Sequence, residues 1–489
     1  MLGVPFYLAC VGLFLTVSLV GPVLVALLAD ETAEALRFAF YLLVGGFLFG
    51  APVLAILGRL RRIPRVGRLT LLFLVWTILP VAAAIPIYDM TEMRFIDALF
   101  ESVSAFTTTG STTLNTVEIW PQSMLFWRVQ LQWLGGYLTL LTVVLIMAPL
   151  GLGGLRSRRS SFTVGADLRA RQDRVLVFAV NLALLYATLT ALCALGFFVM
   201  GIRAFHAVSL AMAAVSTGGF LPFDSELDRT IGLGGQAIFA LFLIVGATST
   251  FWHRMILKGQ VGELRRHRES YSVIIMIFAI AVFFAMVSVA VTGPGSQSPQ
   301  ATLAQALLNS ASLVATSGVQ SQPGYITLLP LPVVLFIILV GGSSFSTSGG
   351  IKHYRIGAMF TQSWRELDRL IYPNAVRSSH FGTQQVSGTL MKSIWSFLMV
   401  AILTITLGTI FVTTNNIPFE AALTATIASF TTAGPIYGAG WSAASDSPWP
   451  SYFAMPDPAK GALMVIMLLG RLEVIAIIGL FSRRYWLSR

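Results

Sequence analysis

The sequence predicts an all-α integral membrane protein, with two N-terminal helices followed by four pseudo-repeated helix–pore loop–helix units around one central pore. Three observations lead there. The 489 residues are 56% hydrophobic and only 11% charged, whereas soluble domains carry roughly 25% charged residues. Apolar runs long enough to cross a bilayer recur along the whole chain. A short Thr-x-Gly-like turn recurs four times, each time between two such runs.

Ten spans fit the hydropathy, at 4–28, 37–58, 69–88, 124–149, 176–200, 235–256, 272–292, 328–360 (interrupted), 391–414 and 460–482. The first has no basic leader and is too long for a signal-peptide core, so it reads as a retained helix. Basic residues cluster at Arg59–Arg68, Arg156–Arg174, Arg254–Arg268, Lys352–Lys392 and Arg483–Arg489. The positive-inside rule places these segments, and both termini, in the cytoplasm. The alternate loops hold Asp30, Glu31, Glu34, Asp89, Glu92, Glu118, Asp224, Glu226 and Asp228. The net charge of +11 is therefore a topology signal with anionic lipid as its neighbour, not a nucleic-acid footprint. Cys10 and Cys193 lie in apolar spans without metal-ligand spacing and read as buried thiols.

After two N-terminal helices (1–68) the chain repeats as units 69–175, 176–270, 271–385, with an intramembrane loop at 341–350, and 386–489. The turns are Thr108-Thr109-Gly110, Ser216-Thr217-Gly218, Thr316-Ser317-Gly318 and Thr432-Ala433-Gly434. Twelve residues before each glycine stands Ala98, Ala306 or Ala422, with His206 in that place in the second unit. The segment before each turn is short, such as Ile96–Thr107 or Ala304–Ala315. A helix of about 12 residues reaches only about 18 Å and cannot cross a hydrocarbon core of roughly 30 Å. It must dip in and return, which is tolerated only where protein or water surrounds the backbone.

Such turns suit a cation. Their carbonyls can replace its water shell, and glycine lets the backbone come close. The hydroxyls of Thr109, Thr217 and Ser317 can brace them, and each turn follows the partially negative end of a short helix. A lone Thr-x-Gly is usually just a helix end. Four at matched positions predict an ion filter. No catalytic constellation is visible. The five histidines (206, 253, 267, 353 and 380) share no ligand spacing, and Gly151-Leu-Gly-Gly154 lacks the Lys-Ser/Thr of a phosphate loop.

The glycine- and serine-rich run Gly341–Gly350 makes a poor helix interior. Gly341, Gly342, Ser343, Ser344, Gly349 and Gly350 form either a tight kink or a gate beneath the filter. Lys352 either snorkels to the cytoplasmic face or takes part in gating. Arg471 either pairs with Glu473 to lock packing or faces the pore. Asp97, Glu101, Glu118 and Asp224 read mainly as a solvated outer face, and Arg128 is expected to bind backbone or an acid. A broken eighth span also suits an alternating-access secondary transporter, which would not need four turns of one pattern.

Several segments are similar to the TrkH potassium-transporter family, within the superfamily that also holds Ktr and HKT proteins. Ser104–Gly110 and Val215–Phe220 resemble its first two pore loops, and Phe126–Gly136 the segment after the first. Gly341–Lys352 resembles its intramembrane loop, and Gly470-Arg-Leu-Glu473 its last span. The two extra N-terminal spans point to the Trk branch. The third and fourth loops are less regular, and Val319 stands where an aromatic is common. The resemblance implies potassium as the transported ion and no organic cofactor in this chain. It also implies an inner-membrane homodimer with one pore per protomer and a cytosolic nucleotide-binding regulator of the TrkA type. Retention of all four filter glycines favours potassium, since a serine there accompanies sodium permeation in the family. Whether flux is passive or coupled to H⁺ or Na⁺ stays open.

Overall fold

The computed structural model describes residues 3–56, 65–147, 168–224, 227–260, 262, 264, 268–293, 298–372, 380–381, 384–385, 388–438, 440–441 and 448–472. Among these, structure is helical apart from one antiparallel pair of two-residue strands, His380–Phe381 against Gln384–Gln385. Among the described residues, eight helical stretches are long and apolar enough to cross a membrane.

The N-terminal helices are α1 (Gly3–Ser18), α2 (Val20–Leu28) and α3 (Thr32–Ile56). Leu36, Leu43, Phe47 and Leu54 of α3 are exposed, as expected of a helix whose solvent is lipid. Next come α4 (Arg65–Thr91), short α5 (Phe95–Phe106) and α6 (Gln122–Thr142). The same long–short–long order follows in α7 (Leu168–Val199), α8 (Ala204–Ser216) and α9 (Leu227–Ala247), then α11 (Arg268–Thr292), α12 (Pro299–Val314) and α13 (Leu331–Val340). It closes with α15 (Gly388–Thr413), α16 (Phe419–Thr431) and α17 (Asp457–Leu472). Two further helices intervene, α10 (Thr250–Leu257) and the amphipathic α14 (His353–Ile371).

The short helices α5, α8, α12 and α16 begin alike. A left-handed residue ends the preceding span: Glu92 (φ 51°), Gly201 (83°), Gly293 (88°) and Asn416 (61°). In three of the four it lies three residues before the helix, and the chain then enters through an extended residue, Arg94, Arg203 or Pro418. α12 starts later, at Pro299, with the Ser298 hydroxyl capping the Ala301 N–H at 3.2 Å. It has 16 residues, longer than the expected 304–315 segment.

Small residues let the outer helices approach the short ones. A Cβ on Gly135 of α6 would lie 1.8 Å from the Phe106 carbonyl, and one on Gly470 of α17 would lie 2.0 Å from the Phe430 carbonyl. Such close backbone approach replaces the hydrophobic drive that lipid cannot supply.

Two expected spans differ. The span 235–256 is not continuous, because the helix ends at Ala247 and α10 restarts at Thr250. Ser and Thr at this break leave hydropathy high while their hydroxyls compete for backbone partners. The span 328–360 divides into α13 and α14 around the glycine- and serine-rich loop. Of the expected span 460–482, the part after 472 lies outside the described residues.

Candidate ion filter and the loop beneath it

Each short helix ends on a threonine in the left-handed conformation: Thr108 (φ 59°), Thr217 (54°), Thr316 (57°) and Thr432 (58°). The N–H of each bonds to the carbonyl three residues back, on Ala105, Ala214, Leu313 and Ser429, at 2.8, 3.2, 3.1 and 3.4 Å. The next N–H bonds five residues back, to Ser104, Ala213, Ser312 and Ala428, at 2.8, 3.0, 2.9 and 2.8 Å. This is a Schellman closure, in which glycine normally takes the left-handed place. A β-branched residue there is an outlier. Strain of this kind costs roughly 1–3 kcal/mol and concentrates at functional sites.

The four threonines correct the register of the second loop. Thr217 aligns with Thr108, Thr316 and Thr432, so the turn is Thr217-Gly218-Gly219 and not Ser216-Thr217-Gly218. The glycine matching Gly110, Gly318 and Gly434 is Gly219. The residue twelve before it becomes Ala207, in line with Ala98, Ala306 and Ala422, and all four are buried. His206 drops out of the pattern.

The four loops touch in a closed ring. A Cβ on Gly110 would meet the Gly219 Cα at 2.4 Å. The Ser317 hydroxyl donates to the Gly218 carbonyl at 2.7 Å. A Cβ on Gly318 would meet the Ala433 carbonyl at 3.2 Å. The Gly434 N–H donates to the Thr109 carbonyl at 2.8 Å, and a Cβ on Gly434 would strike Ser111. Loops one to two, two to three, three to four and four to one are thus in contact. The turns also carry Thr109, Ser317 and Ala433, all buried.

Buried polar groups brace the ring from outside. Arg128 donates to Glu101 Oε2 from Nε at 2.9 Å and from Nη2 at 2.7 Å. Glu101 Oε1 accepts the Thr113 N–H at 2.5 Å and the Thr112 hydroxyl at 2.7 Å. The Arg128 guanidinium stacks 4.2 Å from the Phe220 ring centroid. Gln132 Oε1 accepts the Phe220 N–H at 3.0 Å. Lys460 donates to Asp97 at 2.5 Å, tying α17 to α5. At the exposed surface, Asp224 accepts the Val117 N–H at 2.6 Å. The solvated-face expectation fails for Asp97 and Glu101, which are 1% and 0% exposed. Arg128 binds an acid, as the sequence suggests.

Beneath the filter lies the stretch Gly341–Lys352. Its Gly349 N–H donates to Thr316 Oγ1 at 2.6 Å, and Thr217 donates to Thr347 Oγ1 at 3.2 Å. A Cβ on Gly349 would lie 2.0 Å from the Thr431 carbonyl. Gly341 and Gly350 are left-handed (φ 64° and 80°), and Gly342 packs against the Ala247 carbonyl. Ser343 and Ser344 are buried. Lys352 does not snorkel. It is buried, left-handed (φ 82°), and its ammonium folds back onto the Ser348 carbonyl. Arg471 is buried, and its Nε and Nη2 have no hydrogen-bond partner among the described residues. Glu473 lies outside the described residues. Sequence reasoning missed Thr250 and Glu269, whose side chains bond the Phe345 carbonyl and the Ser344 N–H of this loop.

The fold and these motifs recur in known proteins. A crystal structure of the potassium transporter TrkH from Vibrio parahaemolyticus superposes with a TM-score of 0.82 at 25% identity, covering 99% of both chains. The Trk system potassium uptake protein TrkH of Halomonas elongata is 29% identical over 96% of both chains. Its namesake in Escherichia coli K12 is 29% identical over 84% of both. The TrkH family model, described as a cation transport protein, matches residues 68–271 and 269–487. The chain is therefore a multi-pass membrane transport protein, not an enzyme, and it belongs to the TrkH family.

Proposed function

We propose that this chain conducts potassium across the inner membrane through the ring of four loops, with the stretch 341–350 as its gate. The single observation that carries the reading is the fourfold Schellman end on a left-handed threonine, with the four loops closed on one another. Four strained ends that share one hydrogen-bond pattern hold four short stretches of backbone at one level, which suits replacement of an ion's hydration shell by carbonyls. The relatives' names supply the ion. We further propose the units 1–68, 69–175, 176–270, 271–385 and 386–489, both termini in the cytoplasm, a homodimer and a cytosolic nucleotide-binding regulator of the TrkA type.

Relative K⁺ and Na⁺ flux in proteoliposomes tests the filter. Gly110→Ser, Gly219→Ser, Gly318→Ser and Gly434→Ser are expected to lower the preference for potassium, because each adds atoms where a neighbouring loop already lies. Parental selectivity in all four folded variants would exclude the ring as the filter. Shortening Ser343–Ser348 is expected to raise basal flux per folded protein, and an unchanged or lower flux sinks the gate. Flux under a reversed potassium gradient, with and without an H⁺ or Na⁺ gradient, separates passive conduction from coupled transport.

A further inference from the structure

The intramembrane loop is held from the side away from the filter as well as from the filter side. Two consecutive residues, Ser344 and Phe345, are gripped by the two ends of one connector. At its start, the Thr250 N–H and hydroxyl both donate to the Phe345 carbonyl, each at 2.9 Å. At its end, Glu269 Oε1 accepts the Ser344 N–H at 2.6 Å. The connector's ends are tied to each other through the Ser249 N–H and Ser270 Oγ at 3.4 Å. The Phe251 ring meets the Phe345 ring edge-on with centroids 4.8 Å apart, and the Ser343 N–H donates to the Ala247 carbonyl at 2.9 Å. Thr347 and Gly349, two and four residues beyond Phe345, carry the contacts to Thr217 and Thr316.

We propose that Thr250, at the start of α10, and Glu269, at the start of α11, set the position of the intramembrane loop as its positioning residues. A bond from a backbone N–H to a carboxylate is charge-assisted and stronger than a neutral one, and Glu269 is nearly buried. Loss of the Glu269 carboxylate leaves the Ser344 N–H without this partner, and loss of the Thr250 hydroxyl leaves the Phe345 carbonyl with the Thr250 N–H alone. Movement of Thr250 or Glu269 draws on residues 344–345, and the short lever to Thr347 and Gly349 transmits that movement to the filter threonines. A small cavity lined by Leu182, Tyr186, Val215, Thr248, His253 and Thr347 adjoins the lever and gives Thr347 room to move. As an account of regulation, the proposal rests on the gate reading above. The positional claim can be tested without it.

The test measures labelling of Ser346→Cys by a membrane-impermeant thiol reagent from the cytoplasmic face, in full-length protein in proteoliposomes. Cys10 and Cys193 are first replaced by serine, and potassium flux is recorded on the same samples. Glu269→Ala is expected to raise the labelling rate about tenfold, as loss of one buried hydrogen bond implies, and Thr250→Val, which keeps the backbone N–H bond to Phe345, by a smaller factor above the parent. Glu269→Gln keeps an acceptor oxygen in place and gives a smaller rise, which a general loosening of the fold would not produce. If Glu269→Ala does not fold, Thr250→Val and Glu269→Gln carry the same comparison. Parental labelling in the folded variants overturns the proposal, even if shortening Ser343–Ser348 raises flux. Faster labelling without higher flux upholds the positioning role and removes the gate reading instead.

Discussion

The first and third filter loops are braced differently from the second and fourth. Seven residues before the left-handed threonine, α5 and α12 carry Glu101 and Asn309. Each accepts an N–H five residues after that threonine: Thr113 to Glu101 at 2.5 Å and Ser321 to Asn309 at 3.3 Å. In these two loops the glycine is left-handed too, at φ 76° for Gly110 and 74° for Gly318. The second and fourth loops have Leu210 and Ala425 at the bracing position, and Gly219 and Gly434 lie outside the left-handed region. Their support comes from other elements, from Gln132 for Phe220 and from Thr109 for Gly434. Four similar turns thus form two kinds, alternating around the ring. Two hold themselves, and two are held by what surrounds them.

The largest expected effect lies in the braces. Glu101→Ala leaves the Arg128 guanidinium buried beside no carboxylate, and breaking such a pair costs about 3–5 kcal/mol. Asn309→Ala orphans neutral groups only and should cost about 1–3 kcal/mol. Thermal unfolding of the two variants in the same detergent checks the order. Equal losses would mean that the first and third braces are not set apart by charge.

The glycines give the next test. Gly110→Ala meets both a left-handed backbone and the Gly219 Cα at 2.4 Å. Gly318→Ala has its nearest neighbours at 3.1–3.2 Å, so its cost is chiefly the left-handed backbone, about 1–2 kcal/mol. Gly219→Ala lacks that backbone cost but meets Pro435 Cγ at 2.5 Å. The expected order of loss, in melting temperature and in the K⁺/Na⁺ flux ratio, places Gly110→Ala first. A larger loss at Gly318 would break the ordering.

The threonines should respond in the opposite sense. Thr108→Gly relieves a left-handed β-branched residue whose hydroxyl has no hydrogen-bond partner. It should be neutral or stabilising by about 1 kcal/mol, yet lower the flux ratio. Thr316→Gly also removes the acceptor of the Gly349 N–H and should gain less. A smaller pH effect serves as a control outside both pairs of loops. Burial pushes His253 down to about 4 from 6.5, so the imidazole must charge as the unfolded chain takes up protons. Its contribution is complete above pH 6.5 and is lost as the pH falls towards about 4. His253→Asn should flatten that acid limb of a stability–pH curve without changing the flux ratio at neutral pH.

The long spans were legible because apolar length is a one-dimensional signal. The short helices were legible because a 12-residue apolar segment cannot cross a bilayer. The register of the second loop was not. Gly218 and Gly219 offer two glycines, and Ser216-Thr217 imitates Thr108-Thr109, so only backbone dihedrals decide between them. The Glu101–Arg128 and Asp97–Lys460 pairs were hidden for another reason. An acid near a membrane surface reads as solvated, and Asp97 meets a partner 363 residues away. The break at Thr248-Ser249 leaves no mark in hydropathy, yet it places Thr250 against the loop.

The contact between the Gly434 N–H and the Thr109 carbonyl bears on how the protein is made. The first filter loop leaves the ribosome early, and the loop that closes its open side comes more than 300 residues later. During synthesis at roughly 5–20 residues per second, the Thr109 carbonyl waits for its partner in an unfinished ring. A nascent chain that ends before Phe419 holds three walls of the ring and no fourth, so the ring closes only with the last of the four repeats.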